Sequence, residues 1–144
     1  MKNFIPALTL FILAFFGCSQ QSITEVEATY GNGSPKTVRT YIEENGEKIL
    51  QQEKSFYKTG EIKMEGAYKN NKRNGKWVSY YKNGTKWAEA TYIDGKEQGI
   101  KTVYYKNGKV YYQGKMESGE RVGVWTFYDV EGGKTTIDYD KKND

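Results

Sequence analysis

The sequence predicts an all-β protein, an elongated and twisted antiparallel β-meander built from tandem hairpins of about 24 residues. Three observations predict it. Glycines recur every 24 residues, at Gly60, Gly84, Gly108 and Gly132 and again at Gly75, Gly99 and Gly123. Large aromatics keep that period, at Phe56, Tyr80, Tyr104 and Tyr128 and at Tyr57, Tyr81 and Tyr105. The composition is that of a turn-rich sheet, with 13 Tyr, 16 Gly, 2 Pro and, after Cys18, only one leucine, Leu50. Gap-free self-similarity at one period is the mark of a repeat array.

The first element is a leader. Lys2 opens a positive n-region, and Phe4 to Phe16 is an apolar run broken only by Thr9. It is shorter than the ~20 residues of a spanning helix and fits the apolar region of a secretory signal. Gly17 and Cys18 follow, then the polar stretch Ser19-Gln20-Gln21-Ser22. A small residue before a lone cysteine at this place resembles a bacterial lipobox, with Phe15 and Phe16 departing from its usual Leu and small residue. The alternative is a plain secretory signal with an incidental cysteine. The resemblance implies cleavage after residue 17, lipidation of Cys18, and anchoring in the bacterial envelope. Ser19 rather than Asp after the cysteine then favours the outer membrane. The expected division is a leader over 1–17, a lipidated cysteine and tether over 18–29, a repeat domain over 30–133, and a capping strand with a charged tail over 134–144.

Within the repeats, two turn signals alternate. One is Lys58-Thr59-Gly60, Lys82-Asn83-Gly84 and Lys106-Asn107-Gly108. Asn-Gly here predicts type I′ turns, which need φ > 0 at both central residues. The other is polar and ends in Gly, over 70–75, 94–99 and 117–123. Between them lie runs of strand length, and short connections make neighbours antiparallel. Ten strands are expected, near 25–30, 36–43, 47–57, 61–69, 76–82, 85–93, 100–106, 109–116, 123–129 and 134–139. An irregular first unit starts at Tyr30 and runs three residues long, the excess expected around Glu44-Asn45-Gly46.

Side-chain alternation assigns faces. One carries Trp77, Ser79, Tyr81, Lys101, Val103, Tyr105, Trp125 and Phe127; the other carries Val78, Tyr80, Ile100, Thr102, Tyr104, Val124, Thr126 and Tyr128. Each aromatic is expected to pack on its equivalent one unit away. Gly66, Ala90 and Gly114 form a small-residue column that lets rings approach the backbone.

The tandem pattern Y-x-N-G-x5-G-x-Y with a later G-x-W-x-x-Y resembles the MORN repeat in its bacterial variant form, from about Tyr30 to Gly133. Lys101 stands where a Trp is expected and Met116 where a Tyr is expected. The resemblance implies a twisted antiparallel sheet that binds and performs no chemistry. Its members are associated with membrane phospholipids, with protein tethering, and, in bacteria, with an antitoxin label.

The residues support binding more than catalysis. With no histidine, Ser-His-Asp and Cys-His catalysis and the H-E-x-x-H zinc motif are excluded. No phosphate loop or nucleophile elbow is present, so no enzyme and no cofactor are expected. Asp138, Asp140 and Asp144 read as a solvated tail rather than a metal site. A net charge of +4 and an exported address argue against nucleic acid. Trp77, Tyr81, Tyr105 and Trp125 are the candidate contacts for a protein partner, with core packing as their other reading. Lys58, Lys82 and Lys106 share one sheet edge and are candidates for an anionic lipid or cell-wall surface, or simply solvated turn residues. The function expected is a lipid-anchored scaffold or protein-binding module; the alternative is an antitoxin- or immunity-like neutralising protein.

Overall fold

The computed structural model describes residues 21–141; the leader, Cys18 and residues 142–144 lie outside the described residues. Ten strands form one open sheet in sequential order: β1 (Ser22–Thr29), β2 (Pro35–Glu44), β3 (Glu47–Phe56), β4 (Ile62–Lys69), β5 (Lys72–Tyr80), β6 (Lys86–Ile93), β7 (Lys96–Tyr104), β8 (Val110–Glu117), β9 (Glu120–Tyr128) and β10 (Lys134–Asp138). Every neighbouring pair is antiparallel. This is the expected meander, and no helix occurs among the described residues.

The two edges of the sheet use different turns, and the expected type I′ turns are not at the edge of Asn83-Gly84 and Asn107-Gly108. At one edge the amide of each turn glycine donates to the carbonyl three residues back: Gly33 to Tyr30, Gly60 to Tyr57, Gly84 to Tyr81, Gly108 to Tyr105 and Gly132 to Asp129. Only the glycine has positive φ, for example 81° at Gly84. Asn83 stays right-handed and instead accepts the Thr85 amide on Oδ1 at 3.2 Å. These are type I turns closed by a left-handed glycine. The type I′ turns lie at the opposite edge, where both central residues have positive φ: Asn45-Gly46, Asn70-Asn71, Asp94-Gly95 and Ser118-Gly119.

Because those turns need only two residues, β5, β7 and β9 begin about four residues earlier than expected. Gly75, Gly99 and Gly123 therefore sit inside strands, with φ of 78°, 82° and 62°. They lie where pairing skips, as between Gly66/Trp77 and Tyr68/Arg73. The excess length of the first unit does not enter its turn. It lengthens both arms, to ten residues each in β2 and β3 against eight and nine in β4 and β5.

Repeats are joined by a ladder of tyrosine hydroxyls. Tyr30 donates to the Phe56 carbonyl at 2.7 Å, Tyr57 to Tyr80 at 2.7 Å, Tyr81 to Tyr104 at 2.8 Å and Tyr105 to Tyr128 at 2.8 Å. Each bond ties a turn to the end of the strand two places on. The aromatics do not stack on their equivalents one unit away. Equivalent residues are two strands, about 9.6 Å, apart, beyond the ~4.5–7 Å of a ring pair. Rings meet instead across adjacent strands: Tyr68 with Trp77, Trp77 with Tyr92, Tyr112 with Trp125 and Phe127.

The buried apolar residues, Leu50, Trp77, Val103, Met116 and Trp125, share one face through their cross-strand pairing. That face receives no second layer from the described residues, so contacts between successive strands carry stability. The C-terminal end is capped by the chain itself. Tyr139 packs against Trp125, its hydroxyl accepts from Arg121 at 2.6 Å, and Asp140 Oδ1 accepts the Gly123 amide at 2.7 Å. Asp140 is thus a cap rather than part of a solvated tail.

Candidate functional site

One row of residues crosses the buried face and changes chemistry from hairpin to hairpin. In β2/β3, Arg39 Nε lies 2.8 Å from Glu53 Oε2. In β4/β5, Trp77 lies on Gly66, with its indole N–H on the Ala67 carbonyl at 3.0 Å and the Arg73 guanidinium 4.1 Å above its ring. In β6/β7, Lys101 replaces the tryptophan and Ala90 the glycine. Lys101 Nζ donates to both Glu97 oxygens at 2.8 Å, and Glu97 stands where the arginine was. In β8/β9 the tryptophan pattern returns: Trp125 on Gly114, its N–H on the Lys115 carbonyl at 3.1 Å, and Arg121 4.5 Å above it. The row alternates ion pair, indole, ion pair, indole.

The missing indole of the third hairpin leaves a hollow of about 210 Å³. Its floor is Ala88 and Ala90. Trp77 and Arg73 bound it on one side, Val103 and Tyr112 on the other, and Tyr92, Glu97 and Lys101 close one end. Tyr92 donates to Glu97 Oε1 at 2.8 Å. Burial, and then that bond, raise its hydroxyl above the usual phenol range. Trp87 lines the hollow while remaining half exposed.

The four aromatic candidates do not form one surface. Trp77 and Trp125 are 4 % and 0 % exposed and are core residues, a correction to their reading as direct contacts. Tyr81 and Tyr105 sit at turns, half-buried, with hydroxyls committed to the ladder. Of the residues that shape the hollow, Ala90 belongs to the small-residue column legible in the sequence, whereas Trp87 and Glu97 do not stand out there. The signal was present: alanine and lysine replace glycine and tryptophan in the same unit.

Lys58, Lys82 and Lys106 are exposed at the tyrosine edge, and none joins an ion pair among the described residues. Their edge is not purely cationic. The Glu61 carboxyl is held below its usual range by Thr59 first, then its own amide, with a smaller contribution from Lys82. On the opposite face Glu89 accepts from Lys76 at 2.8 Å, the Tyr104 hydroxyl at 2.5 Å and Lys86 at 3.0 Å. Lys76 and then Tyr104 hold its carboxyl at about 2, and burial, then Glu89, push Tyr104 up to about 12.

The family described as the MORN repeat variant matches residues 52–70, 73–94 and 97–117. Over these residues the chain is similar to the MORN repeat variant. Each matched segment runs strand, tyrosine turn, strand; the second and third are bounded by the two-residue turns of the other edge, and the first begins inside β3. The same geometry continues past the matches into β9, where the Tyr128 carbonyl accepts the Tyr105 hydroxyl as Tyr104 accepts that of Tyr81, and Trp125 repeats the bond of Trp77. No curated protein matches the sequence. Among solved structures, the chain is similar to one in a crystal structure of the GtfA/B complex bound to UDP and GlcNAc, at 11% identity and a TM-score of 0.26. The match covers 69% of this chain and 22% of that chain, and carries no argument about fold or function.

Proposed function

We propose that this protein is a non-enzymatic binding module of the bacterial envelope, anchored through an acylated Cys18, whose MORN-type sheet engages a protein partner. The supporting observation is its single layer. Large apolar groups stay at the surface, with Trp87 50%, Ile100 62% and Val124 57% exposed. A stand-alone core gains nothing from them, whereas aromatic and aliphatic surface residues are the usual anchors of an interface.

The path of the chain bears on the lysine edge. It enters at Ser22, which pairs with Ile42 beside the Asn45-Gly46 turn, so the tether joins the edge opposite the lysines. Four residues from Cys18 to Ser22 reach about 14 Å. The lysine edge is a strand length, about 26 Å, further on. This argues for Lys58, Lys82 and Lys106 facing away from the anchoring membrane, toward a cell-wall or acidic protein surface.

The test is crosslinking of the anchored protein in its native envelope, followed by mass spectrometry. One stoichiometric protein partner is expected. A partner toxic on its own would make the module a neutralising one. Recovery of lipid or wall material without protein would overturn the reading in favour of surface adhesion.

A further inference from the structure

We infer that the hollow over Ala88 and Ala90 receives an aromatic side chain of the protein partner, flanked by an acidic residue that pairs with Arg73. This rests on the binding-module reading and names the partner's chemistry.

The chain supplies the template. In the second and fourth hairpins an indole fills this position, lying on a glycine and beneath an arginine. In the third, Lys101 reaches to Glu97 and leaves the position open. A volume of 210 Å³ admits one ring system, since a cavity of about 150 Å³ takes up benzene. Tyr112 and the half-exposed Trp87 offer ring surface to a guest, with the packed Trp77 serving only as a wall.

Charge specifies the neighbour of the ring. Lys101 is neutralised by Glu97. Arg73 pairs with no carboxylate among the described residues; its side-chain hydrogen bond is to Met64 sulfur at 3.9 Å. Its counterpart Arg121 instead donates to Tyr139, the chain's own cap. Glu89, also in the lining, is paired with Lys76 and Lys86, so the uncompensated charge at the hollow is that of Arg73, and a carboxylate next to the guest ring would meet its open donors.

The experiment is an NMR titration of the protein with a blocked pentapeptide, Gly-Asp-Trp-Asp-Gly. Saturable shifts are expected at the amides of Ala88, Ala90 and Lys101. Replacing the peptide's Trp by Ala should weaken binding about tenfold, and replacing both Asp by Asn about threefold. Arg73→Gln should abolish the preference for Asp. The triple variant Ala90→Gly/Glu97→Arg/Lys101→Trp rebuilds the third hairpin as a copy of its neighbours and should fold without binding. Ala88→Leu, which fills the floor from its other residue, is the second blocking variant. Non-saturable shifts, or binding retained by both variants, would overturn the inference. An envelope partner still captured by a folded, filled variant would remove the hollow while leaving the binding module standing; no partner for the wild-type protein would remove the module itself.

Discussion

Gly66 lies directly beneath the indole of Trp77, so close that a Cβ at residue 66 would sit 2.2 Å from Trp77 Cδ2. Gly114 has the same relation to Trp125, also at 2.2 Å. The contacted atoms belong to a fully packed ring, which has nowhere to move. Gly66→Ala and Gly114→Ala should each destabilise by about 2–3 kcal/mol through overpacking, read as urea midpoints. Ala90→Gly, in the same column but under Lys101, should cost about 1 kcal/mol or less. Equal losses at all three positions would contradict the indole-on-glycine arrangement.

The hydroxyl ladder predicts a uniform set of effects. Tyr57→Phe, Tyr81→Phe and Tyr105→Phe each leave one backbone carbonyl without its side-chain donor and keep the ring in place. Each should cost about 1 kcal/mol, measured by thermal or chemical unfolding. Tyr111→Phe, at a hydroxyl with no bond in the ladder, should change stability far less.

Acid and alkali should weaken the sheet through one pair on its second face. The Glu89 carboxyl is held at about 2 against an ordinary 4.5. Its stabilisation is complete above 4.5 and is lost as pH falls toward 2. Tyr104 is pushed up to about 12 from 10.0. Its protonated form is favoured in the fold, so its contribution is complete below 10 and is lost as pH rises toward 12. Glu89→Gln should flatten the acid limb of the stability profile, and Tyr104→Phe the alkaline limb, in urea midpoints collected across pH.

Turn chemistry gives a prediction of opposite sign at two asparagines. Asn71 has φ of 58° in a type I′ turn, so Asn71→Gly should stabilise by a few tenths to about 1 kcal/mol. Asn83 has negative φ and its Oδ1 holds the Thr85 amide. Asn83→Gly removes that bond and adds freedom to the unfolded chain, so it should destabilise by about 1 kcal/mol. Midpoints moving in the same direction would contradict the turn assignment.

The strand count, their order and the repeat period were legible because glycine and tyrosine recur at positions that backbone geometry dictates. Turn type was not. Asn83-Gly84 reads as a two-residue turn, yet the Tyr81 amide and the Thr85 carbonyl bond across a longer loop and keep the asparagine right-handed. The aromatic candidates were placed on one face by alternation alone. That rule misses the irregular pairing at the strand glycines and the end of β5 at Tyr80, one residue short of Tyr81. Glu53 stands 24 residues before Trp77, in the tryptophan column, but as a carboxylate it carries none of the aromatic signal that marks that column. The hollow depends on a lysine pairing with a glutamate on its own strand, which no spacing announces.

The alternation of ion pair and indole gives the molecule two measures of length, one twice the other. Backbone and hydroxyl ladder repeat with every hairpin, as Tyr57, Tyr81 and Tyr105 show. The packing row repeats only with every second one, through Glu53, Trp77, Lys101 and Trp125. Excision of a single hairpin would leave the ladder in register but set two tryptophans in consecutive units, or two ion pairs. Growth and loss of such an array by whole pairs of hairpins conserve both measures at once.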